Sequence, residues 1–178
     1  MSAIPLPGFL IRYAPTGLDA RLRTAELACH RWLVAHSIAV LRVTLGAIFL
    51  AFGVLKFFPG VSPAQGLVER TTDIVMLGLV PGSIALVIVA VMETLIGLCL
   101  VSGRGMRPVM YLLGGQLVGI LSPLVLLPGR LFAGPHGAPT LEGQYVLKDI
   151  LFVGAALVLV AVAGGARLTS EREAPAEL

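Results

Sequence analysis

The stretch SIALVIVAVMETLIGLCLVS, residues 83–102, decides the fold because it contains a single charged side chain, Glu93. A helix that crosses a membrane needs about 20 predominantly apolar residues. Backbone amides and carbonyls find no water in the hydrocarbon core, so an apolar run of this length must be helical there. The stretch therefore predicts a transmembrane helix with an ionisable group near its middle.

Three further apolar runs lie near residues 38–58, 107–127 and 146–165. The composition agrees with them, since 57% of the residues are hydrophobic and 13% are charged, against about 25% charged residues in soluble domains. The sequence therefore predicts an all-α integral membrane protein, a bundle of four transmembrane helices in the lipid bilayer.

The chain divides into three predicted parts. Residues 1–36 form a cytoplasmic N-terminal segment, residues 37–166 the four-helix domain, and residues 167–178 a polar cytoplasmic tail. Apolar side chains at helical spacing predict an amphipathic helix over 17–36 that lies on a surface or docks on the bundle, with partner recognition as the alternative. A second short helix is predicted over 63–79, on the outer membrane surface.

Lysine and arginine near the span ends predict the orientation. They are in excess in the N-terminal segment, in the link SGRGMR (residues 102–107) and in the tail, and such links face the cytoplasm. Both termini are therefore expected to be cytoplasmic. The net charge of +3 suits anionic lipid better than nucleic acid, because no basic face is interleaved with aromatic side chains.

Glu93 is the main candidate for an intramembrane polar site. An unpaired carboxylate at this depth is costly, so it must be paired, protonated or placed in a wet cavity. Arg42 is the nearest partner by depth, and a buried Arg42–Glu93 ion pair that fixes helix register is the first interpretation. A proton or ligand site is the alternative. Gln116, in the third span, either lines a cavity or satisfies local backbone groups.

Glycines at helical spacing predict close helix packing. In the first span, glycines share one face with Arg42 and Lys56, and such small residues let a second helix approach. In the second span a glycine lies one turn after Glu93, and the third span carries a G-x-x-x-G. The predicted packing positions are Gly46, Gly53, Gly97, Gly115 and Gly119.

A second polar cluster is predicted at the outer end of the bundle. Lys56 closes the first span and Lys148 opens the fourth, so both are expected near the same surface, where carboxylates must separate them. The carboxylates at the right depth are Glu69, Asp73, Glu142 and Asp149. The cluster would lie under a lid made by residues 59–80 and 128–145, either pinning that lid or forming the mouth of a ligand cavity.

Cysteine and histidine chemistry finds little support in the sequence. Cys29 and Cys99 are far apart and form no C-x-x-C pair, so a disulfide framework, a zinc site and a dithiol relay are not expected. His30, His36 and His136 are scattered outside the spans. The sequence predicts no metal site and no catalytic residue.

Three stretches resemble the DoxX-like family of small membrane proteins. They are RVTLGAIFLAFGVLKF (42–57), METLIGLCLVSGR (92–104) and PTLEGQYVLKDILFVGAAL (139–157). The positions that match the family's patterns are Arg42, Gly46, Gly53, Lys56, Glu93, Gly97, Gly103, Gly143, Gln144, Tyr145 and Lys148. Members from GC-rich bacteria often have Asn after that last lysine, where this chain has Asp149.

The resemblance implies a four-helix membrane bundle in a bacterial cytoplasmic (inner) membrane. Relatives are tied to quinone-linked thiol or sulfur oxidation, to membrane complexes that resist oxidative stress, and to chaperone or cargo-receptor roles. Related bundles that reduce vitamin K epoxide use cysteine pairs, which this chain lacks.

Three functions remain open from the sequence. The first is a non-catalytic accessory or scaffold subunit, with a membrane or peripheral protein or a second copy as its partner. The second is a quinone-binding subunit of a membrane redox system, in which Arg42, Glu93 and Gln116 supply polar contacts to the quinone, the one possible cofactor. The third is a small-molecule or lipid carrier, although no paired broken helices are visible.

Overall fold

The structure, a computed structural model, describes residues 17–167, without the side chains at positions 17, 19 and 20. The start of the predicted N-terminal segment, with Arg12, and the predicted tail from residue 168, with Arg172, lie outside the described residues. Within the described range the regular elements are helical. They are α1 (Gly17–Leu55), α2 (Gln65–Val75), α3 (Gly82–Ser102), α4 (Met106–Leu121), α5 (Pro123–Leu126), α6 (Pro128–Leu131), a 3-10 turn (Pro135–Gly137) and α7 (Leu141–Ala163).

Four helical segments in the described part of the chain are long and apolar enough to cross a membrane. They are Arg21–Leu55, Gly82–Ser102, Met106–Leu126 and Pro135–Ala163. The predicted all-α membrane bundle is therefore confirmed.

The helix predicted over residues 17–36 is present, but it is continuous with the first span, because α1 runs without a break from Gly17 to Leu55. Residues 18–45 contain neither glycine nor proline, so the sequence has no residue that would end a helix there. The chain nevertheless divides into two compact units, with the division between His36 and Ser37.

In the first unit the apolar side chains at helical spacing are exposed, among them Leu18, Leu22 and Trp32. The Trp32 and His36 rings stack with their centroids 4.9 Å apart. His36 Nδ1 donates a hydrogen bond of 2.9 Å to the Trp32 carbonyl, which fixes this stack on one helix face.

The second helix, α2, is shorter than predicted at both ends and stops at Val75. Leu77 and Gly78 adopt left-handed backbone angles, with φ of 53° and 73°. The Gly78 amide donates to the Asp73 carbonyl at 2.8 Å. A left-handed closure of this kind ends a helix and satisfies its last carbonyls, so α2 ends well before the Pro81-Gly82 pair.

The second unit contains two apolar clusters. The inner cluster joins the four long helices, with members that include Leu45, Phe49, Ile96, Leu100, Val109, Leu113, Leu117 and Leu159. The outer cluster is formed by Leu67 of α2, Leu131 of α6 and Val146 of α7. The lid predicted from residues 59–80 and 128–145 is therefore held to the bundle by apolar packing.

Helices α1 and α3 run antiparallel, since Gly46 approaches Leu100 while Gly53 approaches Thr94. The C-terminal end of α1 therefore lies beside the middle of α3. Helix α2 contacts α3, and Gly82 at the start of α3 lies against Glu69 of α2, so α2 packs on the part of α3 that extends beyond α1. This offset places Lys56 deeper in the bundle than a residue at the end of a span would be expected to lie.

Candidate functional site

The centre of the second unit holds a buried triad of Lys56, Glu93 and Gln116. Lys56 Nζ lies 2.5 Å from Glu93 Oε2, and the side chains of the two residues are only 5% and 6% exposed. Gln116 Nε2 donates a hydrogen bond of 3.1 Å to Glu93 Oε1. Lys56 also donates to the Phe52 carbonyl of α1 at 3.5 Å. Since Lys56 follows α1, Glu93 lies in α3 and Gln116 lies in α4, the triad links the end of α1 to the middle of α3 and to α4.

Asp149 of α7 lies near the buried triad. It is half-buried and close enough to Glu93 and Lys56 to interact electrostatically with both. On α7 it lies between Val146 of the outer cluster and Ala156 of the inner cluster. Polar side chains of α3, α4 and α7, together with Lys56 directly after α1, therefore lie in this region.

Glycine makes the close approach of α1 and α3 possible. A Cβ atom at Gly53 would lie 2.7 Å from the Thr94 amide nitrogen and 2.9 Å from the Glu93 Cβ. A Cβ at Gly97 would lie 2.5 Å from the Leu50 amide nitrogen, and one at Gly46 would lie 2.7 Å from the Leu100 Cβ. The structure thus places these three predicted packing glycines at the α1–α3 contact, with Gly53 directly beside Glu93.

The glycines of the third span behave differently. Gly115 and Gly119 are exposed, and a Cβ at either position would meet no atom within 4 Å in the part of the chain that is described. Helix α4 instead turns Val109, Leu113 and Leu117 into the bundle. Within the described residues Gly115 and Gly119 therefore make no close helix contact, and their predicted role in helix packing stays a prediction.

Arg42 is not the partner of Glu93. Its guanidinium donates to the carbonyls of Leu100, through a short hydrogen bond, and of Val101, at 3.3 Å. Leu100 is seven residues beyond Glu93 on α3, which is about 10 Å along the helix axis. The predicted Arg42–Glu93 pair is wrong because the antiparallel register places Arg42 at the C-terminal end of α3, where cations interact favourably with the helix dipole.

Gly103 completes this arrangement. It ends α3 with a left-handed φ of 71°, and a Cβ there would lie 2.7 Å from Arg42 Nη1. Arg42 and Gly103 therefore act together as the C-terminal cap of α3.

We expect Arg42→Met to lower the free energy of unfolding by about 1–3 kcal/mol, because the last carbonyls of α3 lose a charged hydrogen-bond donor. Denaturant titration in one detergent checks this. Arg104→Met, at an exposed position in the link after α3, is the matched control and should change stability little. Equal stability of the two variants would contradict the capping role.

The predicted outer polar cluster is not one cluster in the structure. Lys56 turns inward to Glu93, whereas Asp73 pairs with Arg70 at 3.4 Å. Glu69 accepts a hydrogen bond of 2.9 Å from Gln65. These partners follow from the offset between α1 and α3, which removes Lys56 from the surface where the acidic groups of α2 lie.

Glu142 and Lys148 also have partners other than those predicted. Arg130 donates through Nε and Nη2 to the two oxygens of Glu142, at 2.5 and 2.6 Å. This hydrogen bonding holds the pKa of the Arg130 guanidinium above its ordinary value. Lys148 is exposed, with Nζ 5.8 Å from the centroid of the Tyr145 ring. The lid is thus tied to α7 by Arg130 and Glu142.

Every member of the buried triad is a predicted site residue, but Lys56 and Glu93 were predicted to lie in different sites. A signal for their pairing was present, because Gly53 and Lys56 share the helix face that meets α3.

The interacting charged groups of this region are two carboxylates, Glu93 and Asp149, and one ammonium, Lys56, so acidic groups are in excess. Such a cluster can lock four helices in register, or it can take up a proton or a hydrogen-bond donor. Within residues 17–167, no group of three or more His, Cys, Asp or Glu side chains is arranged to hold a metal ion.

Fold and site together define a multi-pass membrane protein, a four-helix bundle with a buried ion pair at its centre. The DoxX family profile matches residues 37–132, which is more than half of the chain. The protein therefore belongs to the DoxX family. The matched range contains Lys56, Glu93 and Gln116 but ends before α7 and Asp149. No curated protein and no solved structure matches the sequence.

Proposed function

We propose that this DoxX-family protein is a non-catalytic accessory or scaffold subunit of a membrane complex. One observation carries the proposal: each carboxylate oxygen of Glu93 accepts a hydrogen bond from within the chain, one from Lys56 and one from Gln116. The most costly charge in the bundle is thus engaged by side chains from other helices. A buried pair of this kind serves best as a device that selects one helix register.

The partner is a membrane or peripheral protein, or a second copy of the chain. Support comes from the faces that the bundle leaves open, such as the exposed apolar side chains of Val118 and Tyr111 on α4. Gly115 and Gly119 lie on the same helix and are open to close approach. In a membrane, small residues of this kind favour helix association.

Isolation from native membranes in a mild detergent, followed by mass spectrometry of proteins, lipids and quinones, tests the proposal. We expect a protein partner, or a second copy, in stoichiometric amount. A monomer that retains a quinone in stoichiometric amount would contradict it.

A double variant, Lys56→Met with Glu93→Leu, sharpens this experiment because it removes both charges together. If the pair only holds the helices in register, a folded double variant keeps the partner. If the pair binds a ligand, the folded double variant loses that ligand. Circular dichroism and thermal unfolding establish that the double variant is folded.

Quinone binding in a membrane redox system is the second candidate, and Asp149 favours it. Its carboxylate lies close enough to Glu93 and Lys56 to interact with both, and a quinone takes up protons when it is reduced, which a nearby carboxyl group can supply. Equilibrium dialysis of the purified protein against a short-chain quinone, with the bound quinone measured by its absorbance, tests this candidate. Saturable binding that Gln116→Leu abolishes would replace the scaffold proposal.

We further propose a bacterial cytoplasmic membrane with both termini in the cytoplasm, on the basis of the basic residues in alternate links. His136→Cys and Arg104→Cys, each in a background lacking Cys29 and Cys99, test the orientation because both positions are exposed. We expect a membrane-impermeant maleimide to label position 136 in intact cells and position 104 only after permeabilisation. The reverse pattern would invert the topology.

A further inference from the structure

A groove of about 350 Å³ opens on the surface where α2, the start of α3 and α6 come together. Its volume falls within the range of small-molecule sites, about 300–1,000 Å³. The lining residues are Gly66, Glu69, Arg70, Asp73, Gly82 and Arg130.

The groove lies at the level where membrane spans end. Gly82 is the first residue of one candidate span, and Arg130 follows another that ends at Leu126. Polar headgroups occupy the layer just outside the hydrocarbon core. The lining side chains are therefore placed where lipid headgroups are found.

Charges of both signs line this groove, and each retains hydrogen-bonding capacity. Arg70 and Asp73 make one contact of 3.4 Å, and their side chains are 60% and 52% exposed. Glu69 uses Oε1 to accept from Gln65, which leaves Oε2 open. Arg130 uses Nε and Nη2 for Glu142, which leaves Nη1.

The sum of these charges indicates what the groove can bind. Two guanidinium groups stand against two carboxylates, and Glu142 adds a third carboxylate beside Arg130. A purely anionic ligand would bring its charge next to Glu69 and Asp73 without compensation. A ligand with a cationic group in addition to an anionic one satisfies both kinds of side chain.

We propose that the groove binds the headgroup of an aminophospholipid, a phosphate ester that carries a primary ammonium group. Arg70 and Arg130 hold the phosphate, since guanidinium groups are well suited to phosphate oxygens. Glu69 and Asp73 accept hydrogen bonds from the ammonium. A choline headgroup lacks N–H donors, and a glycerol headgroup lacks the cation, so both bind less well. This site stands apart from the buried triad and does not depend on the scaffold proposal.

Native mass spectrometry of the full-length protein tests the site. The protein is equilibrated with equal amounts of phosphatidylethanolamine, phosphatidylglycerol and phosphatidylcholine that carry identical acyl chains. We expect one phosphatidylethanolamine per protein to be retained in preference to the other two. Equal retention of the three lipids by the unsubstituted protein would overturn the proposal.

Substitutions then assign the preference to the groove. Glu69→Gln should weaken phosphatidylethanolamine retention about tenfold, the effect of one lost charged hydrogen bond, and Asp73→Asn provides the same test if the first variant does not fold. Glu26→Gln removes the same charge at an exposed position far from α2 in sequence and should leave the preference intact. Arg70→Gln should weaken phosphatidylethanolamine and phosphatidylglycerol alike. A preference that survives both Glu69→Gln and Asp73→Asn would refute the assignment.

Soluble phosphoethanolamine distinguishes the source of the headgroup. If it displaces the retained lipid, recognition is of the headgroup, as proposed. If it binds while none of the three lipids is retained, the groove takes a soluble phosphoamine, and the lipid assignment is overturned.

Discussion

Glu93→Ala lowers the free energy of unfolding by about 3–5 kcal/mol, the usual effect of removing one partner of a buried ion pair. The Lys56 ammonium, with a side chain only 5% exposed, then has no carboxylate at hydrogen-bonding distance among the described residues. Gln116 also loses its acceptor, Glu93 Oε1. Unfolding in a fixed mixture of detergent and denaturant measures the change.

Two controls make this expectation specific. Asp73→Ala removes one partner of the exposed Arg70–Asp73 pair, and such surface pairs contribute about 0–1 kcal/mol. The double variant Lys56→Met with Glu93→Leu removes both buried charges and should recover much of the lost stability. A Glu93→Ala protein as stable as the Asp73→Ala protein would show that the pair is not buried.

Gly97→Ala is expected to destabilise the bundle by about 3 kcal/mol, at the upper end for overpacking. The added Cβ would lie 2.5 Å from the Leu50 amide nitrogen and 2.7 Å from the Leu50 Cα. Backbone atoms cannot move aside as a flexible side chain can, so α1 must shift away from α3. That shift also lengthens the Lys56–Glu93 contact, because both residues lie at the same helix contact.

Gly115→Ala is the matched control for this substitution. It adds the same methyl group to another glycine in the middle of a transmembrane helix, where a Cβ meets nothing within 4 Å in the described residues. Alanine also has the higher helix propensity, so its stability should be unchanged or slightly higher. If both variants lost stability equally, the close approach of α1 and α3 would not be the cause.

The spans could be predicted because lipid leaves few alternatives. The run that contains Glu93 is long and apolar, and in lipid its backbone amides and carbonyls must form hydrogen bonds within a helix. In the structure this run is α3 (Gly82–Ser102). Helix α2 was predicted as an element, but the residue at which it ends was not. The left-handed conformations of Leu77 and Gly78 stop α2, and a leucine carries no signal for such a conformation.

Pairing within the site could not be predicted in the same way. The depth of each charge was judged from its position in its own span, which placed Lys56 at the surface and Arg42 near Glu93. The structure reverses both assignments, because α1 ends beside the middle of α3 and α2 covers the remainder. Helical periodicity states which side chains share a face, but it does not state how far two antiparallel helices slide past one another.

Sequence alone was sufficient for the membrane class, the four helices, the presence of a costly carboxylate at Glu93 and the glycine face of α1, since each follows from local composition and period. Tertiary packing alone decided that Lys56 rather than Arg42 neutralises Glu93, and that Arg42 caps α3. The physical reason is the glycine contact. The backbones of α1 and α3 can meet only where Gly46, Gly53 and Gly97 leave room, and this fixes the register between the two helices. That register determines which charged side chains lie within reach of each other.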